Sequence, residues 1–288
     1  MLERKNEAVN IIFPRNSSWV ILSPIDQRIK EKIEKVGVPL KEWDIRINYG
    51  IKTGCNEAFI IDKTKRDELI KQSPNSVDII RPILRGRDIK RYSYDFAELY
   101  LLNVHNGIRE KNIPLVNIDD YPAIKTHLDQ YWDKISVRDD RGKTPYNLRN
   151  CAYMDDFSKQ KIIYPNMTKY LPFVFDDKNF FVNQKCFIIT GQYIGFLTAF
   201  FNSSLFKYCF RDNFPELQGG TRELSKIFFE TIPVIAIDDK IETNFLNAVK
   251  DIQNNYTHAK AILLDKMIFE LYKLNQQEQN EIGFREIK

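Results

Sequence analysis

Apolar residues recur at two different periods along the chain, and the change of period marks the elements. Pro24 stands at a first helical position, and Ile25, Ile29, Ile33 and Val36 follow at three- and four-residue spacing before Gly37 and Pro39. This is the signature of an amphipathic helix with a proline start and a glycine stop. Ahead of it, Ser17 and Ser18 read as a turn and Trp19–Leu22 as a β-like segment. Residues 45–62, with Gly50 and Gly54 inside, read as two strands around a turn, and the charged run that follows as a short helix ending at Pro74. "AELYLLNV" looks like a strand. In "DYPAIKTHLDQYWDKI", Pro122 begins a helix whose apolar side is Ile124, Leu128, Tyr131, Trp132 and Ile135. A polar loop comes next, then strands at "KIIYP", "PFVFD" and "FFVNQKCFIIT", and a buried helix over Tyr193–Asp212. "LQGGTRELSKIFFETIPV" reads as a glycine-hinged loop, a short helix and an exit at Pro233.

The last segment has its own pattern. Phe245, Val249, Ile252, Tyr256, Ala259, Leu263, Met267, Leu271 and Leu274 run at helical spacing, with no Gly or Pro between Lys240 and Asn275. A single helix of about 30 residues, ~45 Å long, is expected. Its narrow stripe suits either coiled-coil-like packing or an ordinary seat on the domain body. Strands and helices alternate irregularly and without β-α-β repeats. The expected fold class is therefore α+β, with irregular mixed sheets, interspersed helices and a long C-terminal helix. Two units are expected: residues 1–237, and a helical segment 238–288 for packing or assembly.

Composition narrows the classes. The 288 residues are 43% hydrophobic and 28% charged, ordinary globular usage. The longest uncharged apolar stretch is interrupted by Thr190, Gly191, Gln192, Asn202 and Ser203, so no membrane association is expected. No secretory signal is visible. Cys55, Cys151, Cys186 and Cys209 are scattered and read as reduced thiols of a cytoplasmic protein. Net charge is +4; residues 238–288 hold 7 basic and 9 acidic residues, so the remainder carries +6.

The chemical inventory is largely negative. "RGKT" lacks the glycine of a phosphate loop, since Val137 stands five positions before Gly142. His105, His127 and His258 form no metal motif. Acidic doublets at 119–120, 139–140, 155–156, 176–177 and 238–239 read as turns and caps more readily than as a Mg²⁺ site. No Pro-Pro or Asn-Pro is present to hold an exocyclic amine. No catalytic residue and no metal ligand is assigned.

Cations concentrate in two places. Residues 81–91 carry Arg81, Arg85, Arg87, Lys90 and Arg91 against Asp88 alone. Residues 134–149 carry Lys134, Arg138, Arg141, Lys143 and Arg149, with Tyr146 and Asn147 among them. Cations grip phosphates, and Arg and Asn read base edges, although a solvated charged face looks the same in sequence.

Taken in order, "YGIKTGCNEAFIID", "IIRPILRGRDIKRY", "YPAIKTHL", "RGKTPYNLR", "KIIYP", "FIITG", "YIGFLTAFFNSSLF" and "RELSKIFFETIPV" resemble the TaqI-like C-terminal specificity domain of type II restriction–modification enzymes with adenine methyltransferase activity, over about residues 10–235. The resemblance implies a target-recognition domain for double-stranded DNA. It implies a methyltransferase domain or subunit as partner, in a parent that is an adenine-specific DNA methyltransferase or type II restriction endonuclease. S-adenosylmethionine and Mg²⁺ would belong to those absent domains and not to this chain. DNA contacts are expected from Arg85, Arg87, Lys90 and Arg91, from Lys52 and Thr53 in the glycine-flanked turn, and from Arg138, Arg141, Lys143, Tyr146 and Arg149. Arg81 is read as buried or ion-paired. The alternative is a protein-interaction module docking through the C-terminal helix.

Overall fold

The structure is a computed structural model, and it describes residues 23–284. The Trp19–Leu22 segment and its turn lie outside the described residues. At the start, Ser23 caps the Pro24–Val36 helix by accepting from the Asp26 N–H, while Asp26 returns the bond. Ile29 and Ile33 are its buried residues, as the spacing predicts.

The centre is a four-stranded antiparallel sheet in the order Val174–Asp176, Lys161–Pro165, Cys186–Gly191, Ile45–Tyr49. Every residue of Lys161–Pro165 is buried, because the strand has a core on each face. Successive side chains point to opposite faces. Ile162, Tyr164 and Ile189 enter one hydrophobic cluster, while Ile163, Ile188 and Cys186 enter the other. The first cluster gathers the helices of residues 24–36 and 194–282, and the second gathers most of residues 51–157. A second sheet, in the order Phe181–Val182, Ile80–Leu84, Leu99–Leu102, Ile60–Asp62, lies in the latter; its one parallel pairing joins Phe181–Val182 to Ile80–Leu84. Small mixed and antiparallel sheets with helices set among them make this an α+β fold, as expected.

Several elements differ from expectation, each for a local reason. The two strands of residues 45–62 do not form a hairpin: Ile45–Tyr49 and Ile60–Asp62 join different sheets, with the short Asn56–Phe59 helix between them. The helix from Pro122 ends at Asp129 and resumes at Trp132–Ile135. Trp132 is exposed and packs on Tyr146 at 5.4 Å rather than entering the core. The Tyr193–Asp212 helix is two, Ile194–Asn202 and Ser204–Phe210, because the Ser203 side chain caps the second by accepting from the Phe206 N–H.

The long C-terminal helix is three: Asp239–Asn254, His258–Leu271 and Gln276–Ile282. Asn255, Tyr256 and Thr257 are poor helix formers, and Thr257 accepts from the Lys260 N–H to begin a new helix. The predicted stripe is split: Phe245, Val249, Ile252 and Leu274 are buried and Met267 and Leu271 partly so, while Tyr256, Ala259 and Leu263 are exposed. Phe245, Val249, Ile252, Leu264, Ile268 and Phe269 lie in the first core cluster beside Ile29 and Phe200. The first core cluster thus includes residues on both sides of position 237, and the segment packs against the body. No described helix is long and apolar enough to cross a membrane.

Candidate functional site

A wide cleft opens at the end of the central sheet where Pro165 pairs with Cys186. It encloses about 1180 Å³. Its walls are the Arg85–Ser93 segment, the Pro165–Tyr170 loop, the turn holding Asn183 and Lys185, and Thr221 and Tyr256. Six lining side chains are charged, and all six are basic: Arg85, Arg87, Lys90, Arg91, Lys169 and Lys185.

These cations are not equivalent. Arg85 is clamped by Asp88, whose two carboxylate oxygens accept from Nε at 2.9 Å and Nη2 at 2.8 Å. That bidentate pair shapes the turn at Gly86–Asp88. Arg91 is buried; its Nη2 donates to the Asn202 carbonyl at 2.8 Å and lies 3.9 Å from Asp265. It ties the cleft wall to the helical core rather than reaching out. Burial raises the Asp265 carboxyl above its ordinary value, against the opposing hydrogen bonds from Ser204. Arg87, Lys90, Lys169 and Lys185 are exposed. Lys90 has only a 3.8 Å contact to the exposed Asp95, and no ion pair of Arg87, Lys169 or Lys185 is present among the described residues.

The second cation set assembles elsewhere and mostly on itself. Arg138 is buried, with its guanidinium 4.4 Å from the Phe59 ring centroid. It donates to the carbonyls of Asp140 at 2.9 Å, Pro145 at 3.0 Å, Asn147 at 2.7 Å, and Thr53. Desolvation lowers its pKa to about 10. Thr53 is buried and donates to Asn56. Both side chains are buried, as is that of Arg91, so none of these three expected contacts stands at the surface. One guanidinium satisfying four carbonyls is how a polar loop without regular structure holds its shape. Asp140 receives Lys52 at 2.9 Å and Arg149 at 3.2 Å. Burial pushes the Asp140 carboxyl up, but Lys52 and Arg149 outweigh it and hold it below the ordinary value. Tyr146 donates to Asp129 at 2.5 Å, and Arg141 to the Ser136 carbonyl at 2.6 Å. Arg141, Lys143 and Arg149 are exposed.

The two sets do not share one cleft: none of Arg138, Arg141, Lys143, Tyr146 and Arg149 lines it. They are linked through the backbone. Ile51 bridges Asn183 in parallel register, and Gly50 donates to the Cys186 carbonyl at 2.9 Å. A Cβ on Gly50 would lie 2.2 Å from the Asn183 oxygen, so only glycine permits this approach. Lys52 follows directly, within about 10 Å of the cleft wall by Cα spacing. Arg81 donates to the carbonyls of Asp78 at 2.6 Å and Ile80 at 3.0 Å, a local structural role.

Sequence reasoning missed Asn166, Met167, Lys169, Tyr170, Asn183, Lys185 and Tyr256. The available signal was a short polar insertion carrying a cation and an aromatic between two apolar strands, "NMTKYL" between "KIIYP" and "PFVFD".

The acidic doublets are structural. Asp176 is buried against Lys161 at 2.6 Å and accepts from the Lys178 and Phe180 N–H groups. Asp119, Asp155 and Asp177 meet lysines, and Asp238 caps a helix. Among the described residues no three His, Cys, Asp or Glu side chains converge to hold a metal ion.

The profile of the TaqI-like C-terminal specificity domain matches residues 81–234, and the chain belongs to that family. Among curated proteins it is similar to the type II methyltransferase M.BstVI of Geobacillus stearothermophilus, 24% identical over 96% of this chain and 48% of the relative. Among solved structures it is similar to the type IIG restriction endonuclease BpuSI, with a TM-score of 0.54 and 17% identity over 87% of this chain and 34% of that one. It is also similar to the type IIL restriction–modification enzyme MmeI solved with DNA, with a TM-score of 0.60 and 13% identity over 85% and 35%. At these identities the structural likeness shows the fold. The chain spans about half the length of the curated relative it matches.

Proposed function

We propose that this chain is the target-recognition domain of a cytoplasmic restriction–modification enzyme, holding double-stranded DNA for adenine methylation by a methyltransferase domain or subunit outside it. S-adenosylmethionine, and Mg²⁺ where the parent also cleaves, would bind those other parts. The observation that carries the reading is the cleft whose charged lining is wholly basic, in a chain of this family. A cleft lined by one sign of charge draws a polyanion and gives it an orientation. Arg87, Lys90, Lys169 and Lys185 are the residues placed to meet phosphates, and Arg141, Lys143 and Arg149 extend the surface beyond Lys52. Arg85, Arg91, Arg138 and Thr53 set the positions of these groups without touching DNA.

Each neutralised phosphate contributes about −0.9 to the slope of log K against log salt. Four contacts from the cleft therefore give a slope of about −3.6, or roughly a 150-fold loss of affinity between 50 and 200 mM salt. Duplex titration by fluorescence anisotropy across that range is the test. Alanine at Arg87, Lys169 or Lys185 is expected to flatten the slope by about one unit each. A wild-type slope near zero refutes the reading.

A further inference from the structure

Within that reading, on which this inference rests, we propose that Met167 and Tyr170 form an apolar wedge that enters the base stack of the bound duplex. Both line the basic cleft, and they are 54% and 56% exposed. Large apolar side chains this exposed in a cleft whose charged lining residues are all cationic call for an occupant with an anionic rim and an apolar interior. Duplex DNA has that arrangement: phosphates outside, stacked bases within. Apolar side chains inserted between base steps are a known means of bending and opening a duplex.

The tip is built to hold its shape. Met167–Thr168 pairs with Arg222–Glu223, with Thr168 opposite Arg222. The Asn166 N–H donates to the Lys185 carbonyl at 2.8 Å, and the Leu224 N–H to the Asn166 carbonyl at 2.7 Å. The Tyr170 N–H donates to the Thr168 hydroxyl at 3.1 Å, closing the turn. Leu171 then takes a left-handed conformation, φ +49°, with its side chain buried in the first core. That reversal sends Leu171 inward immediately after Tyr170 points out. A wedge must be rigid to do work on a base stack, and this tip is pinned from both sides. Lys169, between the two wedge residues in sequence, is placed for the flanking phosphates.

The experiment uses the full chain and two probes: a 20-base-pair duplex of mixed sequence, and the same duplex with one central abasic site flanked by 2-aminopurine. Inserting a side chain costs least where the stack is already broken. Wild-type protein is expected to bind the abasic duplex at least ~5-fold more tightly than the intact one, with a rise in 2-aminopurine fluorescence as the neighbouring base unstacks. In the Met167→Ala/Tyr170→Ala double variant the preference falls to about 1-fold and the fluorescence rise is lost, while the salt slope stays at the wild-type value. Tyr170→Phe retains the preference, since the ring and not the hydroxyl does the stacking. A double variant that keeps both the preference and the fluorescence rise overturns the wedge while leaving the recognition reading intact. So does a double variant whose salt slope falls with its preference, because the tip then acts through the phosphate contacts. A wild-type chain with no salt-dependent binding to either duplex overturns the recognition reading, and the wedge with it.

Discussion

Replacing Arg138 by methionine distinguishes a DNA contact from an internal organiser. The side chain volume and apolar stem are retained, and the guanidinium is removed. Three carbonyls at 2.7–3.0 Å, on Asp140, Pro145 and Asn147, lose their donor together with that of Thr53. A buried acceptor left unsatisfied costs about 1–3 kcal/mol. The four share one donor and are not additive, and the carbonyls of Asp140 and Pro145 can regain water because those residues are only partly buried. Of the other two, the Asn147 carbonyl keeps the Gly142 N–H at 2.8 Å, so Thr53 alone is left without a donor; at the middle of that range this is a loss of about 2 kcal/mol, against which relief of the buried charge offsets a part. For a domain of this size that lowers the melting temperature by roughly 4 °C. Calorimetry reads the shift, and hydrogen exchange reads where it arises: amides of residues 136–150 lose protection before those of the central sheet. Duplex affinity falls only as far as the loop loosens, with the salt slope kept. An Arg138→Met protein with wild-type melting and wild-type protection, but a salt slope reduced by about 0.9, refutes this reasoning and makes Arg138 a phosphate contact.

Two further outcomes follow from the same structure. Deleting residues 240–288 removes Phe245, Val249, Ile252, Leu264, Ile268 and Phe269 from the first core; at ~1.5 kcal/mol or more each, their burial rivals the whole stability of a domain. The truncated chain is expected to show no cooperative unfolding by circular dichroism, and an unchanged midpoint rules this out. Asp140→Asn is expected to cost about 1 kcal/mol at pH 7, since its partners Lys52 and Arg149 are substantially exposed. The folded carboxyl is held below its unfolded value near ~3.9, so the contribution is complete above that pH and is lost as pH falls through the folded value. Denaturant titrations of both proteins are thus expected to converge as pH drops below about 4, and a constant gap down to acid pH contradicts the ion-pair account.

Much of the local structure was legible because it obeys short-range rules. The Pro24–Val36 helix, the "KIIYP" strand and the helix from Pro122 announce themselves by period and by proline, whatever surrounds them. The family was legible from the order of short motifs, since order along a chain survives where individual residues drift. Length misled at the C-terminus: an unbroken 3–4 spacing from Phe245 to Leu274 predicted one helix, but the first helix stops at Asn254 and the Thr257 side chain caps the start of the next. That cap competes with helix propensity locally, and the break leaves Tyr256 on the cleft wall, where periodicity alone would have left it on a buried stripe.

What sequence could not assign was the role of each cation. A run such as Arg85 to Arg91 states how much charge is present, not where it points. Folding pairs Arg85 with Asp88, buries Arg91 against the Asn202 carbonyl, and leaves Arg87 and Lys90 outward, although all four are equally basic in the chain. Lys169 and Lys185 join them only because the antiparallel pairing of Lys161–Pro165 with Cys186–Gly191 brings two distant turns to one end of a sheet. Charge content and element type are properties of short stretches, set by composition and period. Burial, pairing and the convergence of remote loops depend on contacts between residues far apart in sequence, and those exist only once the chain has closed on its two cores.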